Sequence, residues 1–455
     1  MIDALRTGLN RWNTWTKRSV NRRIFAAILT VGGFTVVVKL ASTAKELVVA
    51  HQFGTGDALD AFLIAFLLPS FFVIVVAESL NAALMPTYIH VREHEGREAA
   101  HRLFSGVLIW STAALIAVAS LLALASSYVL PVLASGFGPD KLELTRSLFY
   151  VLLPALVVSG FGTIWRAVLN AGERFALAAA TPIVTPVLAV LALLTLGRFW
   201  GIYAFAIGTV GGFVLEAGLL AWNLKRLGFY LVPRWYGMNS ATRQVMRQYV
   251  PMVAGAFLMS STLVVDQSIA AMLGSGSVSA LNYGNKITAM LTSIGSMALG
   301  TAVLPHFSRM VAVNDWSGVR HTLRTYASLI LLTSVPLALV LAYLSEPLVG
   351  LLFQRGAFTA GDTRLVGQVQ AFYMLQIPFY ILGTLIVRLI SSLRANSLLM
   401  WGAAISFSVN IALDYVFALW LGVAGIALST TVVLLLSCCY LSYALLRLMR
   451  KRIAY

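Results

Sequence analysis

The chain has 455 residues, of which 59% are hydrophobic and only 11% charged, with a formal net charge of +16. So few charges cannot cover the surface of a soluble protein of this length, and apolar runs of about 20 residues recur throughout, enough to cross roughly 30 Å of hydrocarbon. Transmembrane β-strands would instead alternate apolar and polar residues over about 10 positions, a pattern the chain lacks, so the composition defines a polytopic all-α membrane protein.

A basic, amphiphilic opening occupies residues 1–23, and the apolar run after it is too long for the h-region of a cleavable signal peptide. Twelve spans are predicted, at 24–50, 58–89, 104–131, 146–169, 175–197, 200–224, 246–273, 278–307, 322–343, 365–391, 397–420 and 423–446. The second and eighth are long for a simple crossing, which predicts tilt or ends that project into water. A cytoplasmic linker, 225–245, divides a six-helix lobe at 24–224 from a second at 246–446, and a basic tail, 447–455, follows. Most of the 33 Lys and Arg residues fall on the side of the termini, whereas the opposite side holds Lys141, Arg146, Arg198, Arg355 and Arg364. This positive-inside bias puts both termini in the cytoplasm and accounts for the net charge without nucleic acid. The two cysteines, Cys438 and Cys439, are adjacent in the last span and lack metal-ligand spacing, so they read as packing residues.

The two lobes share a weak internal duplication. The stretch "AHQFGTGDALDAF" (50–62) aligns with "AAMLGSGSVSALNY" (270–283), placing Gly54 on Gly274 and Gly56 on Gly276; downstream, Pro86 falls on Pro305. Because each half has an even number of spans, the repeat is parallel, and the expected site lies between the halves. These glycines are read as tight-turn and hinge positions. The same alignment puts Glu46 on Asp266.

Charges inside spans are the main functional signal, because one at the bilayer centre costs about 2.5–3.5 kcal/mol on insertion scales. The first span carries Lys39, Lys45 and Glu46. Lys39 and Glu46 are seven residues apart and share a face to within about 20°, with Ser42 and Thr43 joining it, while Lys45 is rotated roughly 100° from Glu46. Two readings are open for Lys45 and Glu46: a polar cavity, or snorkelling from a helix that ends early. Lys39 lies too deep to snorkel easily. The eighth span repeats the pattern, with Lys286 beside Asn282 and Asn285. Arg166 and Arg388, near helix ends, read as snorkelling, and Glu216 as an interfacial structural residue. Asp414, with Asn410 one turn away, is either a cation or proton site or half of a structural polar pair. Together Lys39, Lys45 and Lys286, balanced by Glu46 and Asp266, describe a net-positive chamber suited to a phosphate or diphosphate, which lysine binds as a point charge.

The stretch "KELVVAHQFGTGDALDAFLIAFLLPSFF" resembles the first two helices of the MviN/MurJ-type lipid II flippase family, within the multidrug/oligosaccharidyl-lipid/polysaccharide exporter superfamily. "LNAGERFALAAATPIV" (169–184), "SGSVSALNYGNKI" (275–287), "ALGTAVLPHFSR" (298–309) and "LLFQRGAFTAGDT" (351–363) match in order. The resemblance implies two six-helix bundles forming a V-shaped, MATE-like transporter with a central cavity. It implies that Lys39, Lys45 and Lys286 stand where family arginines bind the lipid diphosphate, and that Glu46, Asp60, Glu78 and Ser279 also match family site positions. The chain departs from the family in losing the guanidinium fork at three positions, with Val73, or Ile74 if the match slips by one, at a further arginine position, Asn285 at an acid position and Ala289 at another. The family typically adds two C-terminal helices, so twelve spans direct the expectation toward a related cargo as well as lipid II.

The expected function is a non-enzymatic flippase of the bacterial inner membrane. It would move a polyprenyl-diphosphate-linked saccharide, a peptidoglycan or exopolysaccharide precursor, by alternating access, with no cofactor and with biosynthetic enzymes as candidate partners. Membrane potential, sodium, or protons at Asp414 are the candidate driving forces. Two other readings stand beside it: a drug or small-cation exporter of the same superfamily, which a positive cavity disfavours, and a non-transporting scaffold of a polysaccharide synthase. The sequence offers no paired catalytic carboxylates or Ser/His/Asp arrangement, and His90, His94 and His101 lie in a charged loop read as a solvated face.

Overall fold

A computed structural model describes residues 20–172, 174–228, 234–393 and 395–453, and these are almost wholly helical. In chain order the helices are α1 (Val20–Phe53), α2 (Asp57–Phe72), α3 (Ser79–His94), α4 (Arg97–Leu133), α5 (Pro139–Ala171), α6 (Phe175–Ala180), α7 (Val184–Trp200) and α8 (Ile202–Arg226). They continue as α9 (Ser240–Met272), α10 (Ser277–Ala312), α11 (Trp316–Tyr343), α12 (Ser345–Phe353), α13 (Ala360–Met374), α14 (Ile377–Ser392), α15 (Asn396–Leu421) and α16 (Val423–Ile453). Each of the twelve predicted spans falls on one of these helices or on a consecutive pair. Ten helical segments among the described residues are long and apolar enough to cross a membrane, and α1 and α10, of 34 and 36 residues, fill the two remaining positions.

Three spans are interrupted, each where the local sequence weakens a regular helix. The second passes from α2 to α3 through a π-helical turn, Val73–Glu78, between Pro69 and Pro86. A proline removes a backbone donor and crowds the preceding turn, so a wider turn nearby relieves the ladder. The fifth opens with α6 and a 3₁₀ turn, Thr181–Ile183, containing Pro182. The tenth breaks between α13 and α14, where Pro378 occupies the first turn of α14. Helix α12 was not expected; nine residues are too few to register as a span. The helix after it is firmly started, since Thr359 and Asp362 form a reciprocal capping box on α13.

The chain divides into two compact units. Unit one comprises the described parts of residues 1–48, 72–123 and 150–253. Its core is built from helical i, i+4 stripes: Leu80, Leu84 and Tyr88 on α3, Phe104 and Leu108 on α4, Ile164 and Val168 on α5, Leu220 and Leu224 on α8. Unit two comprises residues 49–71, 124–149 and 254–455. One of its clusters joins Ile64 and Leu67 of α2 to Ala270, Leu281, Tyr373 and Ile426; another packs Leu385, Ile386 and Leu389 of α14 on Leu441 and Leu445 of α16.

Large apolar side chains remain exposed on many helices. Tyr128, Phe199, Tyr343 and Trp420 are 81%, 82%, 86% and 77% exposed. Each lies near the end of its helix, where the amphipathic aromatic side chains of membrane helices concentrate.

Candidate functional site

Unit one encloses a cavity of about 630 Å³. Its wall takes Thr35, Lys39, Ser42 and Lys45 from α1, Glu78 from the π turn, Asn81 from α3, Arg166 and Asn170 from α5, Thr185 from α7 and Glu216 from α8. The wider π turn matters here because it brings Glu78, its last residue, to the wall of an otherwise apolar helix.

Lys39 is exposed on this wall. Lys45 lines the same cavity although the helical wheel sets it far from Glu46, because the lining takes a broad arc of α1 and the lysine stem is long. Its Nζ lies 3.0 Å from Glu46 Oε1 and 5.6 Å from the centroid of the Phe205 ring, two contacts that stabilise an ammonium away from bulk water.

Arg166 and Glu216, read from sequence as snorkelling and interfacial, are instead partners on the cavity wall. Arg166 Nη1 donates to Glu216 Oε1, and Arg166 Nη2 donates to Thr163 Oγ1 at 3.1 Å. Thr185 Oγ1 donates to the other Glu216 oxygen at 3.1 Å. Burial is uneven: the Glu216 side chain is 4% exposed and that of Arg166 26%. The available signal was one unpaired charge of each sign in two spans of the same half. The cavity therefore carries three cations and two lining carboxylates, and one cation has the planar fork missing at the lysine positions.

The remaining predicted residues lie in unit two and form two further clusters. Asp60 is fully buried and its carboxylate is saturated. Oδ2 accepts from Lys141 Nζ at 2.8 Å and from the Gly276 backbone at 2.7 Å. Oδ1 accepts from the Ser279 backbone at 2.8 Å and from Ser279 Oγ at 2.6 Å. Lys141 also reaches Asp57 Oδ1 at 2.6 Å, and with Ser275 it holds the Asp57 carboxyl below its ordinary range. Asp60 and Ser279, which the resemblance implied as substrate-binding, are thus engaged with each other: Asp60 caps the N-terminus of α10 from a neighbouring helix. Gly276 is the N-cap of that helix at φ +80°, and an added Cβ would lie 2.4 Å from the Thr55 carbonyl. At Gly54, with φ +55°, an added Cβ would lie 2.5 Å from the Ala357 carbonyl. Gly274 also has positive φ, whereas Gly56 does not.

Asp266 of α9 meets Asp414 and Asn410 of α15. The three are 8%, 0% and 2% exposed. No donor reaches Asp266 Oδ1, Asn410 Oδ1 or either oxygen of Asp414 among the described residues, while Ser429 borders the cluster from α16. Asp266 therefore has a different neighbourhood from the lysine counter-charge expected from sequence. Two buried carboxylates side by side repel unless a proton or a cation sits between them, and grouped carboxylate and amide oxygens are the ligand type a small hard cation takes. Lys286 and Asn285 are both half-buried on α10.

Long apolar helices, and charged side chains gathered on the wall of a cavity among the helices of unit one, are the features of a polytopic membrane transporter. The sequence model described as lipid II flippase MurJ matches residues 49–454, and the chain belongs to that family, one of flippases and not of enzymes. The lipid II flippase MurJ of Burkholderia cenocepacia is 28% identical over 461 residues, covering 95% of this chain and 85% of that protein. A solved structure of lipid II flippase MurJ in an inward closed conformation superposes with a TM-score of 0.79 at 22% identity, covering 91% of this chain and 87% of that one. An inward-facing multidrug resistance MATE family transporter of the MOP superfamily gives 0.73 at 12% identity, covering 94% and 99%, a likeness of fold. The protein is accordingly a multi-pass protein of the bacterial inner membrane.

Proposed function

We propose that the protein flips a polyprenyl-diphosphate-linked saccharide, a peptidoglycan precursor such as lipid II or an exopolysaccharide precursor, by alternating access, with the diphosphate held in the unit-one cavity. The observation that carries this reading is the convergence of Lys39, Lys45 and Arg166 on one cavity wall among apolar helices. A diphosphate offers several acceptor oxygens; the lysines meet them as point charges and the arginine through two parallel N–H groups. Glu78 and Glu216 limit repulsion among the cations while the cavity is empty. Lys286 and Asn285 are the corresponding contacts from the second repeat, a role supported by the internal duplication.

Asp266, Asp414 and Asn410 are the coupling site, where a proton or small cation neutralises the carboxylates and biases one conformation over another. The six-helix repeats 24–224 and 246–446 are the bodies that move, supported by their parallel duplication, and Gly54, Gly56, Gly274 and Gly276 lie at the turns between paired helices. Both termini are cytoplasmic, which the Lys and Arg distribution supports, and polysaccharide or peptidoglycan biosynthetic enzymes supply the cargo.

The test is flipping in proteoliposomes of fluorescent lipid II and of a polyprenyl-diphosphate oligosaccharide. Lys39→Ala should lose at least tenfold in rate, and Lys39→Arg should restore most of it. Unchanged flipping by Lys39→Ala, or the movement of neither cargo by the wild type, would refute the diphosphate assignment.

A further inference from the structure

A second cavity in unit one, of about 590 Å³, borders the same end of α5 as the first but shares none of its lining residues. Three separate segments bring basic side chains to it: Arg92 from the last turn of α3, Arg97 and His101 from the start of α4, and Arg174 from the turn before α6. Arg97 and His101 are i and i+4, and so share one face of α4. Among the described residues, Glu93 is the one acid on the wall. Its floor is apolar, formed by Tyr88 and Leu169, which are 3% and 1% exposed.

The loop containing Arg92, Arg97 and His101 reads from sequence as a solvated face, and the positive-inside bias asks only that arginines lie on that side of the membrane. It does not ask them to converge. Bringing three guanidinium groups to one concavity costs Coulomb repulsion unless an anion offsets it. Arg92 is also held in place: Nη2 donates to Glu93 Oε1 at 2.9 Å, Nε donates to the same oxygen at 3.1 Å, and Nη1 donates to the Ala171 carbonyl. Those three bonds fix the guanidinium plane and leave two of its five N–H groups for another acceptor.

We propose that this cavity binds a phosphate-bearing headgroup, that of an anionic phospholipid of the inner leaflet. A phosphodiester offers oxygens to Arg92, Arg97 and Arg174, and the apolar floor covers the glycerol end of the molecule. A basic pocket between helices at the cytoplasmic boundary is where the surface potential of that leaflet adds to the attraction. Free phosphate shares the oxygen chemistry and lacks the apolar portion, so affinity separates the two sources.

The experiment is native mass spectrometry of the full chain in detergent, titrated in parallel with phosphatidylglycerol, phosphatidylethanolamine and inorganic phosphate. It compares wild type with the double variant Arg97→Gln/Arg174→Gln, two exposed positions outside the hydrophobic cores. Wild type should retain phosphatidylglycerol at least tenfold more tightly than phosphatidylethanolamine, and the double variant should lose that preference. Inorganic phosphate should compete only at concentrations far above those of the lipid. Equal retention of phosphatidylglycerol by the two proteins, or phosphate binding as tight as lipid binding, overturns the assignment. Headgroup retention is read without transport, so this result stands apart from the fate of the flippase reading.

Discussion

The Arg166–Glu216 pair predicts an asymmetry that either substitution alone would not reveal. Arg166→Gln leaves the Glu216 carboxylate, 4% exposed, with the Thr185 hydroxyl as its remaining hydrogen-bond donor among the described residues. Removing one member of a buried pair costs about 3–5 kcal/mol; access to water from the adjacent cavity reduces this to about 2–3 kcal/mol here. Glu216→Gln has a milder effect. The amide oxygen still accepts from Arg166 or Thr185, and the stranded guanidinium is 26% exposed to the cavity, so the cost is about 1 kcal/mol, that of one weakened charged hydrogen bond. The double variant Arg166→Gln/Glu216→Gln removes both charges and should return close to the milder single variant. Thermal unfolding of the purified protein in detergent measures all three, with the double-mutant cycle giving the coupling. Flipping rates should rank differently: Arg166→Gln slow, and Glu216→Gln near or above wild type, because Arg166 then faces a neutral amide instead of a carboxylate that competes with phosphate for its charge. Equal destabilisation by the two single variants, or an additive double variant, would refute the pairing argument.

Three other substitutions separate structural from coupling roles. Asp60→Asn removes the negative charge shared by Lys141 and the start of α10, and should lower stability by about 3 kcal/mol while leaving the apparent KM for cargo in the folded fraction unchanged; a large KM increase with unchanged unfolding temperature would return Asp60 to the substrate site. Asp414→Asn and Asp266→Asn should each abolish the dependence of flipping on an imposed sodium or proton gradient without preventing cargo binding, and a wild-type gradient response in both would rule out the cluster as the coupling site.

That the chain is a succession of long apolar helices was determined by the sequence alone, because hydrocarbon thickness and backbone hydrogen bonding leave a chain of this hydropathy few alternatives. The charges in the first span were equally legible, since a lysine as deep as Lys39 demands an explanation wherever its neighbours lie. Contacts between residues distant in the chain were not legible. Arg166 and Glu216 looked interfacial when each span was read by itself, and only the packing of α5 against α8 makes them partners. Asp266 aligned with Glu46 in the repeat, yet α15 brings Asp414 and Asn410 to it and gives it neighbours the alignment did not indicate. Asp60 and Ser279 matched site positions of the family, but the approach of α10 turns them into a helix cap. Helical periodicity tells which face a side chain shares along its own helix, and the identity of the group opposite that face is decided only when helices meet.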